Sequence, residues 1–332
     1  MNEAEFVKKW ESEREMYIAW GSFVATKISD ALQVADQTLD LKKFLKIPPT
    51  PREKELDSLL GKAFHRNKPY KNPYEEIEDK VGVRFVVLLT SDIKNIARVI
   101  QTSELWHASL DKDYEAEREN RPLEFTYQSV HYVIKAANDL TTENGVTIPR
   151  GTPCEVQLRT LLQHAHSELT HDSIYKRGPG TEVNKKVERT VAKSMALIEA
   201  VDEYFIAAID ELAAATQPER EGLETLAAIF YDRIGIRPNK DKTNTLVLQS
   251  FRHKLDEDLR QKILAMLDAK PVIASMIKDN FDTQYIYRQP WILLAFLLAS
   301  SEPAQTAEKW PLTPDELRPV YNDLGIRFPT VE

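Results

Sequence analysis

The fold is decided by two stretches, Tyr127-Gln-Ser-Val-His-Tyr-Val-Ile134 and Cys154-Glu-Val-Gln-Leu-Arg159. Both alternate apolar and polar side chains, and successive side chains of a strand point to opposite faces. Each stretch therefore predicts a β-strand with one apolar and one polar face. The polar faces carry groups that can bind a ligand: Tyr127, Ser129, His131, Glu155, Gln157 and Arg159. We interpret the pair as part of a sheet with a ligand-binding front, although an ordinary half-solvated hairpin would show the same alternation.

A helix is predicted directly after the second strand, over residues 160–176, because apolar residues recur there at helical spacing. His164, Glu168 and His171 form a neighbouring polar stripe on this helix. The spacing could hold a metal ion. Hydrogen-bonded histidines that support the polar front of the sheet are the favoured interpretation.

A further strand is predicted over residues 81–89, which are rich in β-branched residues and read as buried on both faces. Asp79 lies just before this strand and Arg84 lies within it. A carboxylate next to a guanidinium suits a site for Mg²⁺ and phosphate. The alternative is a structural ion pair between Arg84 and Asp79.

A basic segment precedes this strand and contains Arg66, Lys68 and Lys71. Arginine can bind phosphate through two hydrogen bonds and lysine as a point charge, so the segment could hold a polyphosphate. Taken alone, a solvated charged loop is the favoured interpretation of such a cluster.

The remaining elements of the N-terminal part are predicted from their periodicity. Helices are expected over residues 2–37, 52–64, 91–103 and 183–214, a short strand over 105–110 and a mobile loop over 111–121. The segment Gln217-Pro-Glu-Arg-Glu221 is interpreted as the domain boundary. We therefore expect one domain over residues 1–215 and a second, helical domain over 222–332. Within the second, residues 291–298 are apolar all round and must be buried.

The composition of the chain excludes or disfavours several classes of protein. The chain has 332 residues, one cysteine and a formal net charge of −8. A single cysteine excludes an internal disulfide framework, and the acidic balance disfavours broad nucleic-acid binding. The chain shows no apolar run long enough for a membrane span and no secretory signal, so a cytoplasmic protein without a membrane partner is expected.

Four blocks in this order resemble the RelA/SpoT synthetase family, whose members transfer pyrophosphate from ATP to a nucleotide 3'-hydroxyl. They are Arg66-Asn-Lys68, Asp79-Lys-Val-Gly-Val-Arg84, Tyr127-Gln-Ser-Val-His131 and Glu155-Val-Gln-Leu-Arg-Thr160. The resemblance covers about residues 3–215, and the helix after the fourth block is most similar to that of the stand-alone synthetases. It implies an α+β fold, nucleotidyltransferase-like, in which helices flank a mixed β-sheet, here with a C-terminal helical domain.

The resemblance also implies roles for individual residues. Arg66, Lys68 and Arg84 would hold the phosphates of ATP, and Asp79 and Glu155 would bind Mg²⁺. Glu155 could instead take the proton from the attacking hydroxyl. Tyr127 would stack on the acceptor base. The remaining acceptor-binding residues would be His131, Gln157, Arg159 and Lys176.

The sequence does not decide which molecule accepts the pyrophosphate. Phe125-Thr126 stands where the family often has Asn-Gly before the tyrosine, and the family's preceding Pro-Lys is absent. GDP or GTP, giving ppGpp or pppGpp, is favoured over the 3' end of tRNA, the acceptor of toxin relatives that block translation. An inactive nucleotide-binding sensor is the third alternative, disfavoured because both carboxylates are present. For the C-terminal region we expect a regulatory partner or a second copy of the chain.

Overall fold

The computed structural model describes residues 1–66, 69–125, 129–170 and 184–329. These residues form two compact units, Met1–Ala208 and Ile209–Glu332. The long helix at residues 185–215 runs through the division between them.

The N-terminal unit is built on a mixed sheet of five strands. In chain order the strands are β1 (Pro51–Glu53), β2 (Val81–Val87), β3 (Trp106–Lys112), β4 (Val130–Ala136), β5 (Leu140–Thr141), β6 (Thr147–Ile148) and β7 (Pro153–Thr160). The order in the sheet is β1-β2-β7-β4-β3, while β5 and β6 form a separate hairpin. β7 is central and pairs parallel with β2 and antiparallel with β4. The predicted mixed sheet is thereby confirmed.

The register of the three middle strands brings their polar positions to one face. Glu155 lies opposite Gly82, and Gln157 lies between Arg84 on β2 and His131 on β4. Paired residues of adjacent strands point to the same side of a sheet. The polar front that the alternation predicts is therefore present, and it extends to β2.

Helices cover the apolar back of this sheet. The helices that begin in this unit are α1 (Glu3–Ala35), α2 (Leu41–Phe44), α3 (Leu56–Leu60), α4 (Pro73–Glu76), α5 (Thr90–Thr102), α6 (Tyr114–Asn120), α7 (Leu161–Thr170) and α8 (Lys185–Ala215). Asn2 and Glu5 form a capping box that satisfies the first backbone N–H groups of α1. Trp20 and Val24 of α1 and Ile96 of α5 are fully buried in one core with Val156 of β7. This packing fixes which face of the sheet is left for a ligand.

Two local predictions are wrong for identifiable reasons. The loop expected over residues 111–121 contains α6, which begins where the Asp113 side chain accepts a hydrogen bond from the N–H of Glu115. The helix expected from residue 52 begins at Leu56. Arg52 lies in β1 instead, paired with Gly82 of β2. Strand pairing has overridden local helix propensity at this point.

The C-terminal unit is helical, as predicted. Its helices after α8 are α9 (Gln217–Ile234), α10 (Lys242–Ser250), α11 (Leu259–Ala269), α12 (Val272–Asn280), α13 (Ile292–Ser301), α14 (Pro303–Glu308) and α15 (Pro314–Asp323). Buried residues on several faces of α13, among them Leu293, Leu294 and Phe296, confirm that this segment is a core helix. The segment at 217–221, interpreted as a boundary, forms the first turn of α9, where Pro218 is tolerated.

None of the helices formed by the described residues has the length and apolar character needed to cross a membrane.

Candidate active site

A cavity of about 620 Å³ opens over the polar face of the sheet in the N-terminal unit. β1, β2, β4, β7 and α7 all contribute to its wall. The charged and hydrogen-bonding side chains around it include Arg52, Lys54, Asp79, Arg84, His131, Glu155, Gln157, Arg159, His164, Ser167 and Glu168. A concave site with several convergent titratable groups is the usual form of an active site.

Asp79 lies just before β2 and is held by two lysines. Its Oδ2 accepts hydrogen bonds from Lys54 Nζ at 2.7 Å and from Lys62 Nζ at 2.9 Å. Burial acts to raise the pKa of this carboxyl, but the two ammonium groups outweigh it, and the pKa lies below its usual value. Oδ1 is buried without a hydrogen-bond partner among the described residues. Asp79 is therefore an anion with one oxygen left for a ligand.

The turn that presents Asp79 is pinned by its neighbour Lys80. The Lys80 side chain is 1% exposed, and its Nζ donates a 2.6 Å hydrogen bond to the carbonyl of Ile77. The ammonium lies 5.1 Å from the ring centre of Tyr17 and 4.9 Å from that of Tyr74. Cation–π contacts of this kind compensate a buried cation in part. Burial nevertheless lowers the pKa of Lys80 to about 8.

Glu155 lies on β7 at the centre of the front, where both of its oxygens accept hydrogen bonds. His131 Nδ1 is 3.2 Å from Oε1, and Gln157 Nε2 is 2.7 Å from Oε2. Burial acts to raise the pKa of Glu155, but the bond from His131 and the other donors outweigh it, so the pKa lies below its usual value. Glu155 is therefore ionised at neutral pH.

The partners of His131 indicate which nitrogen carries its proton. An ionised carboxylate only accepts hydrogen bonds, so Nδ1 must carry a proton towards Glu155. Nε2 lies 2.6 Å from the hydroxyl of the buried Ser129, which can donate to it. The ordered chain Ser129–His131–Glu155 thus holds the carboxylate in place from the side of β4.

Three guanidinium groups lie on the remaining wall, on Arg52, Arg84 and Arg159. Arg159 donates to Gln157 Oε1 at 2.6 Å and to Ser167 Oγ at 2.8 Å. Burial, followed by the charge of Arg84, lowers the pKa of Arg159. Such buried like charges gain most from an anionic ligand. This part of the cleft is suited to phosphate groups.

The site fits a divalent metal ion of the Mg²⁺ class. Asp79 and Glu155 line the same cleft, and Asp79 acts electrostatically on the carboxyl of Glu155. The unpartnered Oδ1 of Asp79 would gain a partner from the metal. Within the described ranges no three Asp, Glu, His or Cys side chains cluster as a metal cage. Mg²⁺ is commonly bound by one or two carboxylates and completes its shell with water and ligand phosphates.

The structure brings most of the predicted site residues together. Asp79, Arg84, His131, Glu155, Gln157 and Arg159 all line the cleft. The predicted site residues Lys68, Tyr127 and Lys176 lie outside the described residues. Arg66 is described and is absent from the cleft wall; its Nε lies near Gly61.

Sequence reasoning missed three cations of the site: Arg52, which lines the cleft, and Lys54 and Lys62, which donate hydrogen bonds to Asp79. A signal was present, because Arg52-Glu-Lys54 has the same Arg-x-Lys spacing as Arg66-Asn-Lys68. The two segments differ in their structural position: Arg52 lies in β1, and the pairing of β1 with β2 brings it to the cleft. Both residues of this earlier Arg-x-Lys line the cavity.

Comparison with known proteins agrees with this geometry. Residues 51–179 match a family model described as a region found in RelA/SpoT proteins. The chain is 26% identical over 157 residues to GTP pyrophosphokinase YwaC of Bacillus subtilis (strain 168), which covers 47% of this chain and 70% of that protein.

Solved structures give the same fold. The small alarmone synthetase 1 from Bacillus subtilis superposes with a TM-score of 0.50 at 20% identity, covering 62% of this chain and 99% of that chain. The same synthetase bound to its product pppGpp gives a TM-score of 0.50 at 23% identity, with the same coverage. The range matched by the family model includes all five strands of the sheet and most of the residues that line the cleft, so this region of the chain is similar to RelA/SpoT proteins.

Proposed function

We propose that this protein is an ATP-dependent pyrophosphokinase that transfers pyrophosphate from ATP to the 3'-hydroxyl of GDP or GTP, forming ppGpp or pppGpp. The observation that carries the proposal is the convergence of Asp79, just before β2, and Glu155, on the neighbouring strand β7, on a cleft whose described wall includes Arg52, Arg84 and Arg159. The similar protein YwaC is named a GTP pyrophosphokinase, and the similar synthetase 1 binds pppGpp. Both names support the same reaction class here.

The reaction is a phosphoryl displacement. The 3'-oxygen of the acceptor attacks the β-phosphorus of ATP and forms a new P–O bond. The bond between that phosphorus and the oxygen bridging to the α-phosphate breaks, and AMP leaves. Such a transfer needs positioning and neutralisation of charge more than covalent chemistry.

The residues of the cleft would divide these tasks. Arg52, Arg84 and Arg159 would bind phosphate oxygens and stabilise the charge that spreads over them in the transition state. Asp79 and Glu155 would hold Mg²⁺, which would neutralise negative charge on the phosphates.

Glu155 could also accept the proton that the 3'-hydroxyl releases. Its ionised state leaves it able to accept, and the bonds from His131 and Gln157 fix its orientation. Its lowered pKa makes it a weak base, which favours the metal-binding role over the proton-accepting role.

The acceptor base would stack on Tyr127, and Lys176 would contact acceptor phosphates. Both roles rest on the family resemblance. With a net charge of −8, the chain favours a nucleotide acceptor over tRNA, whose binding needs an extended basic surface.

The test is transfer from ATP labelled in its β-phosphate, with GDP, GTP and tRNA offered separately. We expect label in ppGpp or pppGpp, and a loss of about 100-fold or more in turnover for Asp79→Asn and Glu155→Gln. Asp111→Asn and Glu119→Gln are matched controls, because they remove a carboxylate at exposed positions of the same unit.

The outcomes separate the three alternatives. If the label appears on tRNA alone, the acceptor is tRNA rather than GDP or GTP, and the toxin activity is the correct alternative. Binding of ATP without any transfer would favour the sensor. Near-normal turnover by either cleft variant would contradict the assignment of that carboxylate.

A further inference from the structure

Glu168 is an acid among the arginines of the cleft. Its Oε1 accepts a 2.8 Å hydrogen bond from Arg84 Nη1. Burial acts to raise the pKa of Glu168, but Arg84 outweighs it, with a smaller contribution from Arg52, so the pKa is lowered. An ionised carboxylate thus lies within the field of at least two guanidinium groups.

The contact does not satisfy Arg84 completely. Arg84 Nε is buried and has no hydrogen-bond partner among the described residues. A buried N–H without an acceptor is unfavourable, and a ligand with several oxygens could satisfy more of the guanidinium fork. Glu168 therefore satisfies only part of the Arg84 guanidinium, and an anion with several oxygens could form more hydrogen bonds with it.

Glu168 can move away from Arg84, whereas the second partner of Arg84, His164, is held in place by its burial. The Glu168 side chain is 47% exposed, so water can replace the guanidinium as its partner. His164 Nδ1 lies 3.2 Å from Arg84 Nη1 and is only 16% exposed. Burial, followed by the charge of Arg84, lowers the pKa of His164, so the ring is neutral and can accept this bond. Arg84 would keep its place on His164 after Glu168 had moved away.

We propose that Glu168 is an internal counterion that takes the place of a ligand phosphate on Arg84, and that an incoming polyphosphate displaces it. The proposal rests on the proposed function, which places the phosphates of a nucleotide in this cleft. In the empty cleft Glu168 compensates clustered positive charge. In the filled cleft it would face another anion and must turn into solvent.

This exchange sets the affinity of the cleft. A ligand that has to break an existing ion pair binds more weakly by the free energy of that pair. Removing the charge of Glu168 while keeping its shape should therefore tighten phosphate binding. If Glu168 instead positions Arg84 for the ligand, the same change should weaken binding. The two roles give opposite signs.

The experiment compares Glu168→Gln with the wild-type full chain by titration calorimetry with inorganic tripolyphosphate and Mg²⁺. We expect the dissociation constant to fall by about fivefold in the variant. Glu199→Gln is the matched control, because Glu199 is also paired with an arginine, at 3.0 Å from Arg118, outside the cleft. Its dissociation constant should equal that of the wild type. An unchanged or larger dissociation constant for Glu168→Gln would overturn the proposal.

A second probe, α,β-methylene ATP, separates this proposal from the proposed function. Tighter binding of tripolyphosphate by the variant, together with no binding of the nucleotide by either protein, would support the counterion and contradict the pyrophosphokinase. Binding of the nucleotide by both proteins with no gain for Glu168→Gln would contradict the counterion alone.

Discussion

Asp202 of α8 is a buried carboxyl outside the cleft, and it attaches this helix to the central strand. Its side chain is 3% exposed, and its Oδ2 accepts a 2.8 Å hydrogen bond from Thr160 Oγ1 at the end of β7. Oδ1 is buried without a partner among the described residues. Burial raises the pKa of Asp202 to about 6, because the low-dielectric surroundings disfavour the charged form.

The raised pKa of Asp202 gives stability a defined dependence on pH. The folded state keeps the proton up to about pH 6, whereas the unfolded chain releases it near 3.8. The proton therefore stabilises the folded state fully below pH 3.8, and this contribution is lost as the pH rises through about 6. For Asp202→Asn we expect the wild-type stability near pH 4 and a free energy of unfolding about 1 kcal/mol higher at pH 8.

Urea unfolding at both pH values checks this prediction. Asp210→Asn, at an exposed position of the same helix, is the control for loss of a negative charge. A constant difference between Asp202→Asn and wild type across the range would show that Asp202 does not titrate in it.

Single residues also show how far the cleft could be predicted from the sequence. Alternation along one strand is a local property, so the shared face of Glu155, Gln157 and Arg159 was accessible from the sequence. The ion pairs of Lys54 and Lys62 with Asp79 join residues 25 and 17 positions apart. No local pattern encodes these contacts. They depend on how β1 and the residues after it fold back on β2.

At the scale of elements, β2 shows how a strand makes room for a ligand. Gly82 lies opposite Glu155 in the parallel pair. A Cβ atom at Gly82 would lie 3.7 Å from Glu155 Oε2 and 3.4 Å from the carbonyl oxygen of Glu155. These are ordinary contacts, so the backbone would tolerate a side chain. The added methyl group would nevertheless occupy space beside the proposed metal-binding carboxylate.

Gly82→Ala should therefore lower activity without lowering stability. Glycine in a strand interior is unfavourable, so we expect the free energy of unfolding to stay equal or to rise by up to about 1 kcal/mol. Crowding of the space beside Glu155 should lower turnover by about tenfold. Thermal unfolding and the transfer assay measure the two quantities on the same sample. A variant that loses stability in proportion to activity would contradict the view that Gly82 serves the ligand.

Elements were predicted best where a long periodic pattern agrees with the packing. The apolar faces of α1 and α5 and the continuous apolar segment of α13 are visible in the sequence. α6 was missed because it has seven residues and only Tyr114 is buried, so its periodicity is too short to detect. The start of α9 was missed because Pro218 reads as a breaker, although the first turn of a helix accepts it.

At the scale of the whole molecule, the described residues form two hydrophobic cores, one in each unit. The buried core residues of the N-terminal unit run from Phe6 to Leu158. Those of the C-terminal unit run from Leu226 to Tyr321. Each core draws its buried residues from its own unit, which is the usual condition for a domain that can fold by itself.

Two cores predict two unfolding transitions that respond to different mutations. Phe296 on α13 and Ile96 on α5 are both 0% exposed, in the C-terminal and N-terminal cores respectively. Phe296→Ala should destabilise one transition by about 3–5 kcal/mol and Ile96→Ala the other by about 2–5 kcal/mol, because each truncation leaves a cavity in its own core. Calorimetric unfolding resolves the transitions, and binding of α,β-methylene ATP reports on the cleft. We expect Phe296→Ala to leave nucleotide affinity at its wild-type value, since all the described residues that line the cleft belong to the N-terminal unit. A single transition lowered by both variants, or a loss of nucleotide affinity in Phe296→Ala, would show that the two cores fold as one cooperative unit.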